Sequence, residues 1–241
     1  ATLAANGILM GFDKADGIAG DLGGGSLELV NVAGIATSNA VTLPLGGLRL
    51  IDLSGNRIDR ALDIADRHVA SVRWIDRGRD RTFYAVGGTW RSLARLHMAQ
   101  VGYPLHVMHG YVIKAREALE FCKLIRRVDP ETLSQIETVA SGRRPLLPYA
   151  ALVMEQIIER AKPAEIVFSA LGVREGLLFS QLDGEERRRD ALIAAAQELN
   201  QLRSRSPQHG EELIDWTDRF MSSSGIDESV EERRLRHAAC L

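Results

Sequence analysis

The chain predicts an α/β fold, a mixed sheet with helices, followed by an α-helical segment. Three observations carry that expectation. Residues 17 to about 50 alternate apolar and polar positions and are broken by glycines, as an antiparallel meander would be. Two further β-rich runs, Arg81–Val86 and Glu165–Ala170, each lead through glycine into helical periodicity. Beyond Leu182 the composition turns charged and the remaining pattern is helical, which divides the chain into residues 1–182 and 183–241.

The elements follow in order. Gly17-Ile-Ala-Gly-Asp21 reads as a strand, and Leu27–Val32 alternates like its hairpin partner, with Ile35–Leu45 as the third strand. Arg57–Trp74 is a long amphipathic helix that gathers Ile58, Ala61, Leu62, Ala65, Val69 and Val72 on one face. The strand at 82 ends in Gly87-Gly88-Thr89, and the helix after it carries Trp90, Leu93, Ala94, Leu96 and Met98 inward, Arg91 and Arg95 outward. Residues 110–162 read as helices. Asp129-Pro130 starts one as N-cap and N1 with Glu131 in the first turn, and Pro145 opens Leu146–Arg160. After the strand at 165, Leu171-Gly172-Val-Arg174-Glu175-Gly176 enters another helix. Asp183-Gly-Glu-Glu-Arg-Arg-Arg-Asp190 is a charged hinge or helix start, its arginines a solvated face.

The chemistry concentrates in Asp21-Leu-Gly23-Gly24-Gly25-Ser26-Leu-Glu28. Glycines lack Cβ and permit positive φ, so backbone N–H groups can converge on one anion, with the Ser26 hydroxyl beside them. Asp21 suits a Mg²⁺ ion, and Glu28 suits orienting or deprotonating a water. Asp before glycine is equally ordinary turn chemistry, so this segment alone also fits a purely structural turn. The segment is neither a Walker A loop nor a dinucleotide fingerprint. At Gly87, Gly88 and Thr89 a strand-to-helix turn offers N–H groups and a helix dipole to an anion, or simply a tight turn with Thr89 as N-cap. Arg143 and Arg144, ahead of Pro145, are further candidates for anion contact.

Bulk properties exclude several classes. A net charge of −2 over 241 residues gives no reason to expect nucleic-acid or membrane binding. No apolar run reaches membrane-spanning length, and Cys122 and Cys240 sit in helical apolar patterns as reduced, buried thiols. A cytoplasmic protein is expected. The histidines show no zinc spacing, so His68, His97, His106 and His109 read as structural.

The motifs D-L-G-G-G-S-L-E-L, A-V-G-G-T-W-R-S-L-A, His109-Gly-Tyr111 and S-A-L-G-V-R-E-G-L together resemble the exopolyphosphatase and guanosine pentaphosphate phosphatase family. That family has the ribonuclease H-like fold of actin, Hsp70 and the sugar kinases, which makes residues 1–182 one actin-like half. The resemblance implies release of phosphate from polyphosphate, or hydrolysis of a guanosine pentaphosphate, with a divalent metal such as Mg²⁺. It makes Asp21 the metal-linked and catalytic aspartate and Glu28 an active-site glutamate. Gly23, Gly24, Gly25 and Ser26 become the phosphate cradle, and Gly87, Gly88 and Thr89 the later motif by the cleft. Family members carry an upstream half-domain with its own phosphate loop and a second glutamate. The chain therefore reads as a fragment, inactive alone and a homodimer when intact. Residues 183–241 read as the start of a histidine–aspartate-like helical domain, to which His209 and His237 belong, with no metal there. A kinase of the same superfamily, or a non-catalytic module binding nucleotide or polyphosphate, remains open.

Overall fold

Alternating side chains over positions 16–43 fold into β1 (Asp16–Leu22), β2 (Leu27–Ala33) and β3 (Ala36–Leu43) in the computed structural model, which describes residues 1–136 and 138–241. These strands form an antiparallel meander. β1 also runs parallel to β4 (Thr82–Val86), and β4 parallel to β6 (Glu165–Phe168). β5 (Tyr111–Lys114) pairs antiparallel with β6 at the edge, so the sheet order is β3-β2-β1-β4-β6-β5. The parallel trio β1, β4 and β6 brings three carboxyl ends to one rim, and each glycine turn follows one of them. Convergence of the glycines is thus a product of topology.

Helices cover both faces: α1 (Thr2–Gly11), α2 (Gly47–Ser54), α3 (Ile58–Ala70), α4 (Gly88–Gln100), α5 (Ala115–Arg127), α6 (Pro130–Ser134), α7 (Leu147–Ala161) and α8 (Val173–Gln181). The main core joins Ile18, Leu22, Leu27 and Leu29 of the sheet to α3, α4, α5 and the almost wholly buried α7. Trp90 and Phe83 meet there edge to face at 5.6 Å, and the Trp90 indole N–H donates to the Ala150 carbonyl at 3.0 Å. Burying Phe83 alone contributes roughly 1.5–3 kcal/mol. Ala19, Val30, Val32 and Val86 form a smaller cluster on the opposite face with Ala5 and Ile8 of α1. Between α5 and α7, buried Glu155 accepts from Arg126 at 2.9 and 3.3 Å.

Several expectations need correction. β5 lies inside the region read as helices, and α1 and α2 were not expected. α3 ends at Ala70, and a 3₁₀ turn at Ile75–Gly78 follows it. Pro145 sits inside a 3₁₀ turn (Ser141–Leu146), while Pro148 occupies the first turn of α7. Asp129 does cap α6, accepting from the Thr132 N–H at 2.9 Å.

The chain divides into two units, Ala1–Leu182 and Asp183–Leu241. The second consists of α9 (Ala191–Arg203), α10 (Pro207–Ser224) and α11 (Val230–Cys240) after a short 3₁₀ turn at Glu186–Arg188. Asp190 caps α9 and holds Arg234 of α11. Asp218 of α10 accepts from Arg236 at 2.7 Å and meets His237 at 2.9 Å. Both cysteines are free: Cys122 is buried and its thiol pushed up by burial, while Cys240 is partly exposed. Among the described residues no helix is long and apolar enough to cross a membrane.

Candidate active site

The loop Gly23–Ser26 closes the β1–β2 hairpin, and Asp21 and Glu28 stand directly opposite one another in its ladder. Its conformation differs from expectation, because none of its glycines has positive φ. The loop is instead shaped from behind by α2. The Gly47 N–H donates to the Gly23 carbonyl at 3.2 Å, and the Arg49 N–H to the Gly24 carbonyl at 3.1 Å. A trans peptide points its C=O and N–H in opposite directions. With those two carbonyls turned toward α2, the N–H groups of Gly24 and Gly25 are turned away from it. Among the described residues these N–H groups and that of Ser26 have no protein acceptor, whereas the Gly23 N–H is spent on the Ser26 carbonyl at 2.9 Å. Gly46 makes the approach of α2 possible: a Cβ there would lie 2.3 Å from the Ser26 nitrogen and 2.4 Å from the carbonyl carbons of Gly24 and Gly25. A Cβ on Gly25 would meet nothing within 4 Å, so that glycine leaves open space in front of the loop.

The carboxylates complete this side. Side chains alternate along β1, so Asp21 shares a face with Ala19 and lies beyond the small cluster under α1. Burial pushes the Asp21 carboxyl above its ordinary value, and the facing Glu28 adds to the rise. The chain's amino group and Arg91 pull the other way. Glu28 is paired with the Ala1 amino group. Like charges opposite one another in a ladder are destabilising, and a hard divalent cation relieves such a pair. Asp21 and Glu28 therefore fit a Mg²⁺ ion that takes its remaining oxygens from water and phosphate. Among the described residues no cluster of three or more acidic, histidine or cysteine side chains forms a complete protein cage for a metal.

The second glycine turn follows β4 beside this loop. Gly87 is the N-cap of α4 at φ +117°, and its missing Cβ would lie 2.4 Å from the Leu22 carbonyl oxygen at the end of β1. Only glycine fits there. The N-cap is thus Gly87, while Thr89 lies in the first turn, buried. Over Gly88 sits the Arg143 guanidinium, 3.0 Å from where a Cβ would be, and Arg143 has no ion pair among the described residues. The free N–H groups of the first α4 turn and this cation form a second anion-attracting surface. Arg144, by contrast, donates to the Val139 carbonyl.

The third turn, Ser169–Gly172, leads from β6 into α8. Ser169 is fully buried and exchanges hydrogen bonds with Leu171, and the Gly172 N–H donates to Glu175 at 2.8 Å, holding that carboxyl below its ordinary value. His109 accepts from the Ala170 N–H at 3.3 Å and its ring packs, tilted, against Phe12 at 4.8 Å, which gives the His109-Gly110-Tyr111 segment a structural part at the same rim. Sequence reasoning missed Gly46, Gly47 and Arg49. A Gly-Gly pair ahead of an amphipathic octet was the available signal. It also placed Arg91 outward, whereas Arg91 is half-buried.

Residues 1–185 match the Ppx/GppA phosphatase family, and residues 192–241 match the exopolyphosphatase C-terminal family. Exopolyphosphatase 1 of Mycobacterium leprae is 31% identical over 176 residues, which are 68% of this chain and 51% of that protein. Retrograde regulation protein 2 of Saccharomyces cerevisiae is 28% identical over 214 residues, 79% of this chain and 36% of that protein. The chain thus spans about half the length of the mycobacterial relative it matches. Among solved structures, the Ppx/GppA phosphatase of Aquifex aeolicus superposes with a TM-score of 0.65 at 20% identity, over 76% of this chain and 62% of that one. An exopolyphosphatase from Cytophaga hutchinsonii gives 0.65 at 19% identity, with the same coverage of each chain. These two likenesses bear on the fold, which is the actin-like one expected for residues 1–182. The sequence match over the whole of the sheet and its three glycine turns settles more than the fold: this chain belongs to the Ppx/GppA phosphatase family.

Proposed function

We propose that the protein hydrolyses terminal phosphoanhydride bonds of inorganic polyphosphate, releasing phosphate. One observation supports this most directly. Two unpartnered amide surfaces, Gly24–Ser26 and the first turn of α4 under Arg143, adjoin a facing pair of carboxylates. In this reading the loop amides and the Ser26 hydroxyl hold the terminal phosphoryl group, and the α4 turn with Arg143 holds the next. Glu28 orients or deprotonates the attacking water, and Asp21 fixes the site's negative pole. Mg²⁺, held by Asp21, would neutralise developing charge on the phosphoryl oxygens.

A guanosine pentaphosphate is the second reading, and Trp90 bears on it. This aromatic beside the glycine turns is fully buried with its N–H committed to Ala150, so it has no free face for a guanine. Polyphosphate is therefore preferred. The test is phosphate release by the full-length protein from long-chain polyphosphate and from guanosine pentaphosphate under a magnesium titration. Tighter use of the nucleotide would replace the first reading by the second, and affinity for both without release would make the protein a binding module. We further propose that residues 183–241 open a helical, histidine–aspartate-like domain, that the protein is cytoplasmic, and that it works as a homodimer.

A further inference from the structure

Arg91 is the fourth residue of α4, and its N–H donates to the Gly87 carbonyl at 3.0 Å. Residues three and four apart lie on one helix face, and helical side chains lean toward the amino terminus. The Arg91 side chain is thus directed back along the face of Gly87 and Gly88, toward the rim where the glycine turns converge. Its field is felt both at Asp21, on β1, and at Glu175, in the first turn of α8. Yet among the described residues Arg91 has no carboxylate within ion-pair distance and donates no side-chain hydrogen bond. Arg95, one turn further on, is exposed to solvent, whereas Arg91 is half-buried. A partly desolvated guanidinium without a partner is unfavourable unless an anion completes it. Arg143 approaches Gly88 in the same unpaired state.

We propose that Arg91 is a substrate-binding side chain of this site, which with Arg143 clamps two adjacent phosphoryl groups of a condensed phosphate. The inference rests on the phosphoanhydride reading above and adds a specificity to it. Two forks at one helix start favour a ligand with at least two linked phosphoryl groups over orthophosphate, because bidentate guanidinium recognition is repeated along the chain.

Calorimetric titration of the full-length protein with tripolyphosphate and with orthophosphate tests this, using wild type, Arg91→Gln and Arg91→Lys. Loss of a charge-assisted contact predicts about 10- to 100-fold weaker tripolyphosphate binding for Gln, with a smaller loss for orthophosphate. Lys should recover part of the affinity, since it restores charge without the fork. The salt dependence of binding should become shallower in the Gln variant, which a purely structural role would not produce. Wild-type affinity in Arg91→Gln overturns the clamp while leaving the phosphoanhydride reading intact. Absence of tripolyphosphate binding by the wild type overturns both. Should the Gln variant melt early, Arg91→Lys decides at unchanged melting temperature: full affinity refutes the clamp, and reduced affinity supports it.

Discussion

Asp21→Asn should make the protein more stable at neutral pH while disabling it. Facing residues of an antiparallel pair have Cβ atoms about 5 Å apart, which puts the two charges roughly 6 Å apart. At an effective dielectric of about 20–40 their repulsion is about 1.4–2.8 kcal/mol. Both carboxylates are partly exposed, and solvent screening reduces this to about 1 kcal/mol for Asn to relieve. The pH dependence gives the sign. Burial and the facing Glu28 raise the Asp21 carboxyl above its ordinary value in the folded state, so the group favours folding at low pH and that contribution is lost as pH rises through the raised value. Asn does not titrate. Its advantage should therefore be near zero below about pH 4 and fully developed at pH 7. Urea midpoints at several pH values measure it, and at pH 7 the melting temperature should rise by about 2–4 °C. Turnover with polyphosphate should fall about 10²-fold in the same variant. Destabilisation at pH 7, or a pH-independent gain, would refute the placement of two like charges face to face.

Other outcomes follow from the same geometry. Gly46→Ala should displace the Gly23–Ser26 loop, since the new methyl would overlap the backbone of Gly24–Ser26; on the proposed reading phosphate affinity should drop, with a measurable fall in melting temperature. Gly87→Ala combines a φ of +117° with a methyl 2.4 Å from the Leu22 oxygen, and should cost about 2 kcal/mol or more by denaturant unfolding. Glu155→Ala strands the Arg126 guanidinium and should cost about 3–5 kcal/mol, with Glu155→Ala/Arg126→Met recovering much of the loss. Tyr111→Phe removes the 2.7 Å bond to buried His97, in the last turns of α4, and should destabilise by about 1 kcal/mol by denaturant unfolding.

The hairpin, the third strand and both strand-to-helix glycine turns were legible because their signals are local: alternation, then glycine, then a change of period. What was not legible depended on long-range contacts. α1 contains Gly7 and has little contrast between its faces, so its propensity and its pattern both argue against a surface helix; packing across α8 is what orders it. β5 is four residues long, too short for alternation to stand out from the helix that follows. The candidate residues Asp21, Gly23–Ser26 and Glu28 do lie together, but the reason assigned to the glycines was incomplete. Conformational freedom was expected at Gly23–Gly25, and the decisive position is Gly46, twenty residues downstream of Ser26. No spacing rule links the two, since only the folded chain brings them within contact.

The seating of the loop on α2 bears on how tightly an anion is held. Each of two peptide units accepts from α2 through its oxygen and turns its nitrogen away from that helix. In the proposed phosphate-binding role, an arriving phosphoryl oxygen would polarise those units and strengthen the bonds behind them, while the helix polarises them in advance, a mutual reinforcement that isolated amides in a flexible turn lack. Seated in this way, the loop would lose little further freedom on taking up the proposed ligand, so less of the interaction energy would be consumed in ordering it. Substitutions on α2 that touch no ligand should accordingly be felt as changes in affinity rather than in folding alone, which makes this short helix a place where the grip of the site can be tuned from behind.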